Sequence, residues 1–296
     1  MRHALIDNHS AGRARYFLRK MLSRTDASEY RRGYRAGRLS VPHLHRVITG
    51  EQNLFQRRTE ANGTNSYVTL AIDASSSMVA AGRDWPAARL ACTLSSALSG
   101  CIGVKHDVLA WTNIERHAYG YKTVTISEPS KEYEEQRVTI SNDDVADAAF
   151  GGGGTRFTVN YACLTYLKTD RDTTGHLCKV LEHHRQVFYG GCTPAFSSLY
   201  AAIRQVRERR GFGRKFVLFL TDGDIRDSGE REAMVRLCQE AEREGIYAIG
   251  IGVQVDPRFS IEACFPAGAA INVMQLSDLG GKAMQKLVQR IEKLAA

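Results

Sequence analysis

The chain has 296 residues, of which 43% are hydrophobic and 24% are charged, and its net charge is +8 at pH 7. These fractions are ordinary for a globular protein, so a sizeable core can form. No apolar run approaches the roughly 20 residues that a membrane-spanning helix needs, and the first residues lack the apolar stretch of a secretory signal. We therefore expect a cytoplasmic protein without a membrane partner.

The positive charge is concentrated near the amino terminus. Residues 1–60 hold 13 Lys and Arg against five Asp and Glu, whereas residues 61–296 hold 27 of each sign. Such a basic arm can bind nucleic acid or an acidic protein surface, or it can be a solvated helix face. Nucleic acid binding through the arm stays open but is not the favoured interpretation.

The cysteines show no paired spacing. Seven of them lie at positions 92, 101, 163, 178, 192, 238 and 264, and none forms a CxxC or CxxH pair. An odd number without such pairs argues against a disulfide framework and against a zinc cluster. We expect reduced thiols, several of them buried on helices.

Two regions of different pattern follow each other along the chain. Residues 1–30 predict a basic helical arm with an apolar side, and residues 31–66 predict short helical turns and a polar connector. From residue 67 onward, short apolar runs alternate with helical patterns. We therefore predict a basic helical arm and connector at 1–66 and one α/β domain at 67–296.

The predicted domain alternates strands and helices. Strand patterns lie at 68–72, 106–111, 156–167 (interpreted as an edge strand), 215–221, 246–251 and 271–274. Helical patterns lie at 84–99, 172–184, 194–209, 229–244 and 279–294. An insertion around 120–155 holds hairpin-like Thr, Val and Ile segments. The alternation predicts an α/β fold with a doubly wound, mostly parallel sheet flanked by helices.

Three short motifs supply oxygen ligands at the predicted carboxyl ends of strands. Asp73, Ser75 and Ser77 form a D-x-S-x-S turn after the first strand, Thr193 precedes a helix, and Asp222 follows the strongest strand. Ligands bind at this edge of a doubly wound sheet, and an all-oxygen donor set suits Mg²⁺ or Mn²⁺. Because the hydroxyls bring no charge, the ion stays electrophilic and attracts an acidic side chain of a partner protein.

Other motifs give weaker signals. Glycines at 151–154 are followed by Thr and Arg and lack the Lys of a phosphate-binding loop. The histidine pairs at 43 and 45 and at 183 and 184 have no Cys or carboxylate in register. No matched His–Asp pair accompanies Ser75 or Ser77. The sequence therefore predicts no catalytic residues and no ATP hydrolysis by this chain alone.

The three oxygen-bearing motifs together resemble the metal-ion-dependent adhesion site of von Willebrand A domains. In that family the two Ser and the Thr contact the ion, and the Asp residues hold it largely through water. The resemblance implies that Ser75, Ser77 and Thr193 are direct ligands and that Asp73 and Asp222 are supporting carboxylates. It also implies a von Willebrand A or Rossmann-like fold.

Residues 31–296 resemble the C-terminal part of the CobT family, the von Willebrand A subunits of aerobic cobaltochelatases. The matching segments are Gly37-Arg38-Leu39, Arg46-Val47-Ile48, Asn53-Leu54-Phe55, Val68-Thr69-Leu70, the metal loop through Met78, Val108-Leu109-Ala110-Trp111-Thr112 and Asp278-Leu279-Gly280-Gly281. Metal loops of that family usually read D-N-S-G-S, and Ala74 and Ser76 replace the Asn and Gly here.

The resemblance implies an adaptor rather than an enzyme. CobT-like proteins are expected to pair with an AAA+ ATPase of the MoxR/CobS type and to couple it to a target, which in cobaltochelatase is the subunit that inserts Co²⁺ into a corrin ring. Two alternatives remain. One is an RNA-binding protein similar to the Ro family, and the other is a docking module in the assembly of a larger particle, for example of a phage.

Overall fold

In the residues that this computed structural model describes, the central sheet has eight strands. In chain order, the bounds of its strands are β4 Ser66–Asp73, β5 Val104–Thr112, β6 Thr123–Ile126, β7 Arg137–Ile140, β8 Ala162–Lys168, β9 Arg214–Thr221, β10 Ile246–Val253 and β11 Ala270–Val273. Across the sheet the strands lie in the order β11-β10-β9-β4-β5-β8-β6-β7. The five strands from β11 to β5 are mutually parallel, and β8 runs antiparallel to both of its neighbours.

The structure describes five long stretches, one short segment and several isolated strands. These are residues 5–22, 65–113, 162–183, 187–188, 191–256 and 258–295, and the strands at 29–34, 38–39, 55–59, 123–126 and 137–140. The glycine loop predicted at 151–154 lies outside the described residues, as do most of the predicted connector and insertion and the histidines at 43, 45 and 184.

Seven α-helices accompany the strands in the described part of the chain. They are α1 Asn8–Leu22, α2 Ser76–Ala80, α3 Asp84–Ser99, α4 Thr174–Glu182, α5 Ala195–Arg207, α6 Ser228–Arg243 and α7 Lys282–Ala295. Local signals fix several of their starts. Pro86 lies in the first turn of α3, where its missing N–H costs nothing. Asp227 caps α6 by accepting hydrogen bonds from the Gly229 and Glu230 amides.

Both faces of the sheet are covered by apolar side chains. Successive residues of a strand point to opposite faces, so β9 sends Phe216, Leu218 and Leu220 into one core and Val217 and Phe219 into the other. The first core contains residues of α1, α3, α4 and α7, and the second contains residues of α5 and α6. The predicted doubly wound, mostly parallel α/β fold with helices on both faces of the sheet is confirmed.

Helix α1, which was predicted as part of a basic arm, packs into the first core. Its buried face includes Ala11, Ala14, Leu18, Met21 and Leu22. The guanidinium of Arg15 donates a hydrogen bond to the Ser96 carbonyl on α3. The helix thus shares its core with the sheet, and the domain boundary at residue 66 stays a prediction.

The structure corrects three local predictions. The helical turns expected after residue 30 are instead short strands, β1 Glu29–Tyr34, β2 Arg38–Leu39 and β3 Phe55–Thr59, in an antiparallel sheet of order β1-β3-β2. The segments β6 and β7 pair in parallel and form no hairpin. Strand β8 is not at an edge, because β6 lies beyond it. Side-chain pattern indicates that a segment is extended, but it does not specify the direction or partner of its pairing.

Within the described residues, no helix is long and apolar enough to cross a membrane.

Candidate metal centre

Two adjacent parallel strands bring Asp73 and Asp222 to the same edge of the sheet. Strand β4 ends at Asp73, β9 ends at Thr221, and Ile72 pairs with Leu220 in the register of the two strands. Both carboxylates are fully buried, with 0% exposure. The sequence separates them by 149 positions, and the parallel register places them side by side.

The carboxylate of Asp73 is held by neutral donors. Its Oδ1 accepts a hydrogen bond of 2.9 Å from the Ser75 amide, and its Oδ2 accepts one of 2.9 Å from the Thr221 hydroxyl. Burial, and the neighbouring negative charge of Asp222, raise the pKa of Asp73 to about 7, which the hydrogen bonds only partly oppose. A cation beside Asp73 and Asp222 would offset the repulsion between their carboxylates.

The two serines of the first loop present their hydroxyls together. Ser75 Oγ and Ser77 Oγ lie 3.0 Å apart. Ser75 occupies the N-cap position of α2, but its side chain makes no capping hydrogen bond. The pair of hydroxyls is therefore available beside Asp73 as neutral oxygen ligands.

The loop that carries Thr193 is fastened to the first loop by Ser76. The Ser76 amide and hydroxyl both donate to the Gly191 carbonyl, at 3.1 Å and 2.9 Å. The Cys192 amide donates to Asn113 Oδ1 at 2.8 Å, just beyond the end of β5. Partly buried Thr193 follows directly and begins the approach to α5. The loop is thus held at the same edge as Asp73.

The carboxylate of Asp222 has a charged partner. Arg83 Nη1 lies 3.1 Å from Asp222 Oδ2, and the Asp224 amide donates to Oδ1 at 3.2 Å. Between these aspartates Gly223 has φ +79°, a conformation that favours glycine. The carboxylate of Asp224 is bound by Arg226 through two hydrogen bonds, of 2.7 Å and 3.0 Å. Asp224 is therefore engaged elsewhere.

A cavity of about 550 Å³ opens beside Asp222 and Ser77. Its walls include three arginine–aspartate pairs and one aromatic ring, and its lining residues are Ser77, Ala80, Ala81, Arg83, Asp222, Asp224, Arg226, Asp256, Arg258 and Phe259. The side chains of Arg226 and Arg258 are about four-fifths exposed. The cavity opens to solvent beside Ser77, which is partly exposed, while Asp73, Ser75 and Asp222 are buried.

The donor set fits a hard divalent cation. Carboxylate and hydroxyl oxygens are the ligands that Mg²⁺ and Mn²⁺ prefer. The part of the chain that the structure describes contains no group of three or more His, Cys, Asp or Glu side chains placed to hold a metal. An ion held at this edge by the described residues therefore needs further ligands; the Ser75 and Ser77 hydroxyls lie next to each other here, and Thr193 lies on the loop that Ser76 binds.

Several side chains that shape the site are not among the residues predicted from the sequence. Arg83, Thr221, Ser76 and Asn113 each bind a residue or loop of the site through a side-chain hydrogen bond. Thr221 could have been found from its place at the last position of β9, next to Asp222. Arg83 gave no local signal, because it lies 139 positions from its partner.

No family model matches this chain, and no curated protein matches it either. Among solved structures, it is similar to the conserved hypothetical protein BatB from Bacteroides thetaiotaomicron, with 16% identity over 78% of this chain and 98% of that one and a TM-score of 0.42. An aerotolerance-related membrane protein from Bacteroides fragilis matches with 16% identity over 77% and 99% of the two chains and a TM-score of 0.40. Proximal thread matrix protein 1 from the mussel byssus matches with 12% identity over 76% and 46% and a TM-score of 0.41. These likenesses are too distant to bear on function.

Proposed function

We propose that this chain is a metal-dependent protein-binding adaptor. Mg²⁺, or Mn²⁺, is held by Asp73, Ser75, Ser77, Thr193 and Asp222, and an acidic side chain of a partner completes the coordination. The observation that carries the proposal is the meeting of two fully buried aspartates with a pair of serine hydroxyls at an open edge of the sheet.

Binding fits this site better than catalysis does. When bound, the ion supplies a Lewis-acidic position that a carboxylate can occupy. The Ser75 amide and the Thr221 hydroxyl fix the orientation of Asp73. The hydroxyl ligands are uncharged and donate weakly, so the ion stays electrophilic and attracts an exposed Asp or Glu of a partner.

The sequence supports a more specific proposal. The motifs shared with the CobT family favour an adaptor that acts with an AAA+ ATPase of the MoxR/CobS type. In that role the chain is a non-catalytic subunit of a cobaltochelatase-like complex, which inserts cobalt into a corrin ring during cobalamin biosynthesis. The partner ATPase supplies the nucleotide chemistry.

The metal site is tested by thermal unfolding with and without Mg²⁺. An ion that binds only the folded chain at a hundred times its Kd stabilises it by about 2.7 kcal/mol, which corresponds to a rise in Tm of about 5 °C. The variants Asp73→Asn and Asp222→Asn keep the side-chain shape and should lose this rise. The matched control is Asp256→Asn, which removes a carboxylate from the same cavity but outside the donor set.

The same variants test the partner. Affinity for a MoxR/CobS-type ATPase of the same organism is measured with Mg²⁺ and with EDTA. We expect EDTA and Thr193→Ala each to weaken binding at every salt concentration, because the ion bridges the two proteins. An Mg²⁺-induced rise in Tm that persists in both Asp73→Asn and Asp222→Asn refutes the metal site. Binding that ignores both EDTA and Thr193→Ala refutes the docking mode.

A further inference from the structure

The guanidinium of Arg83 lies against the carboxylate of Asp222. Its Nη1 is 3.1 Å from Asp222 Oδ2, and the side chains are 14% and 0% exposed. The Arg83 backbone is fixed, because its amide donates to the Met78 carbonyl at 2.7 Å and Gly82 before it turns with φ +66°. The loop between α2 and α3 therefore delivers this arginine to the site.

The two buried aspartates are satisfied in different ways. Among the described residues, the groups that donate hydrogen bonds to Asp73 are neutral and include the Ser75 amide and the Thr221 hydroxyl. Asp222 has a full positive charge against it. A buried carboxylate without a cation is costly, whereas one with a paired guanidinium is tolerated. Arg83 thus performs for Asp222, without any ion, the neutralisation that a divalent cation would perform.

We propose that Arg83 is a displaceable counter-cation of the metal site. It pairs with Asp222 when no ion is bound and competes with the divalent ion for that carboxylate, so that it lowers the affinity of the free chain for the ion. This inference rests on the proposed function. It also explains why a side chain that faces an open cavity is nearly buried: its charged end turns inward to Asp222 rather than outward to solvent.

A second arginine in the same cavity provides a matched control. Arg226 carries the same charge, but it binds Asp224 and its side chain is 78% exposed. Removing its charge changes the general electrostatic potential of the cavity without freeing Asp222. Comparison of Arg83→Gln with Arg226→Gln therefore separates competition at Asp222 from the bulk effect of one positive charge.

The experiment is a titration of the full chain with Mn²⁺ alone, in which electron paramagnetic resonance measures the free ion. Arg83→Gln should lower the Kd for Mn²⁺ by about tenfold or more, because like charges a few ångströms apart repel strongly in a buried site. Arg226→Gln should change the Kd by less than about threefold, because an exposed charge is screened. Arg83→Lys keeps the charge and should stay close to the wild-type Kd.

A second measurement does not depend on the folding of Arg83→Gln. In the wild-type chain labelled with ¹⁵N-arginine, the side-chain signals of Arg83, assigned with Arg83→Lys, should shift on saturation with Mg²⁺, because Nη1 loses its hydrogen-bonded partner Asp222. An unchanged signal overturns the inference even if Arg83→Gln does not fold.

The outcomes separate this inference from the proposed function. Wild-type chain that binds Mn²⁺ while Arg83→Gln binds it equally or more weakly overturns the inference alone, because Arg83 then only orients Asp222. Equal tightening in Arg83→Gln and Arg226→Gln also overturns it, because the effect is then bulk charge. Wild-type chain and variants that all fail to bind Mn²⁺ or Mg²⁺ overturn the metal site and the inference together.

Discussion

The imidazole of His106 is buried on β5 and is uncharged at neutral pH. The residue is 4% exposed, and its Nε2 lies 2.8 Å from Ser95 Oγ on α3. Burial lowers the pKa of His106 to about 3, and the nearby charge of Lys168 adds to the effect. Lys168 Nζ also donates to the His106 carbonyl at 3.0 Å.

This histidine should make the chain less stable in acid. Below pH of about 6.5 the unfolded ring takes up a proton, while the folded ring stays neutral until about pH 3. The unfolded state then binds more protons, so the free energy of unfolding falls as the pH falls, by up to about 1.4 kcal/mol per pH unit from this residue. Urea denaturation between pH 7 and pH 5 measures the slope.

The variant His106→Asn removes this titration, and its slope in urea denaturation should be shallower than that of the wild type. The control His9→Asn replaces an exposed histidine on α1 and shows whether the loss of any histidine changes the slope. Equal slopes in the wild type and His106→Asn would mean that the buried ring accepts its proton as readily as the unfolded one does.

At the scale of elements, α1 combines a basic surface with a buried apolar face. Leu18 is 1% exposed and packs in the first core, whereas Tyr16 is 58% exposed. Lys20 lies over the Tyr16 ring, 5.1 Å from its centroid, and so part of the basic surface rests on an aromatic side chain. The helix therefore contributes to the folding of the domain as well as to its charge.

Substitutions on the two faces of α1 should have very different effects on stability. Leu18→Ala leaves a cavity in the core and should lower the free energy of unfolding by about 2–5 kcal/mol. Tyr16→Ala removes a surface contact and should lower it by less than about 1 kcal/mol. Urea denaturation provides both values. If Leu18→Ala costs no more than Tyr16→Ala, α1 is not part of the folded core in solution.

Across the whole molecule, two polar centres lie at different heights along the strands. One contains Asp73 and Asp222, and the other is formed around Asp107. Asp107 on β5 is 1% exposed; Tyr67 donates a hydrogen bond of 3.0 Å to it, and Arg209 pairs with it at 3.3 Å. Asp107 pairs with Thr69 in the sheet, and Trp111, four residues on, pairs with Asp73. At about 3.3 Å per residue, the two centres are separated by about 13 Å.

That separation predicts that the two centres act independently. Arg209→Gln leaves Asp107 buried without its cation and should lower the free energy of unfolding by about 1–3 kcal/mol. The rise in Tm with Mg²⁺ should be as in the wild type, because effects more than about 10 Å apart add. Arg207→Gln, which breaks an exposed pair with Glu244, is the control and should cost less than about 1 kcal/mol. A reduced Mg²⁺ response in Arg209→Gln alone would show that the centres are coupled.

The strand patterns of the sequence were enough to predict most of the central sheet and the approach of Asp73 and Asp222 at one edge of it. Continuous apolar runs such as 215–221 predict strands that are buried on both faces of a sheet. Asp73 and Asp222 each follow such a run, so each must lie where a strand leaves the core. In a parallel sheet these ends share one edge, so a local pattern sufficed to predict that the two aspartates meet. The predicted ion remains a proposal.

Long-range packing settles which further groups lie at that edge and how the chain outside the central sheet is arranged. Three contacts each join residues at least 70 positions apart. They are the ion pair of Arg83 with Asp222, the hydrogen bonds of Ser76 to Gly191 and the packing of α1 against α3. The parallel pairing of β6 and β7 likewise depends on chain direction, which side-chain alternation does not encode. Such contacts arise from packing of the whole fold, so no local pattern in the sequence specifies them.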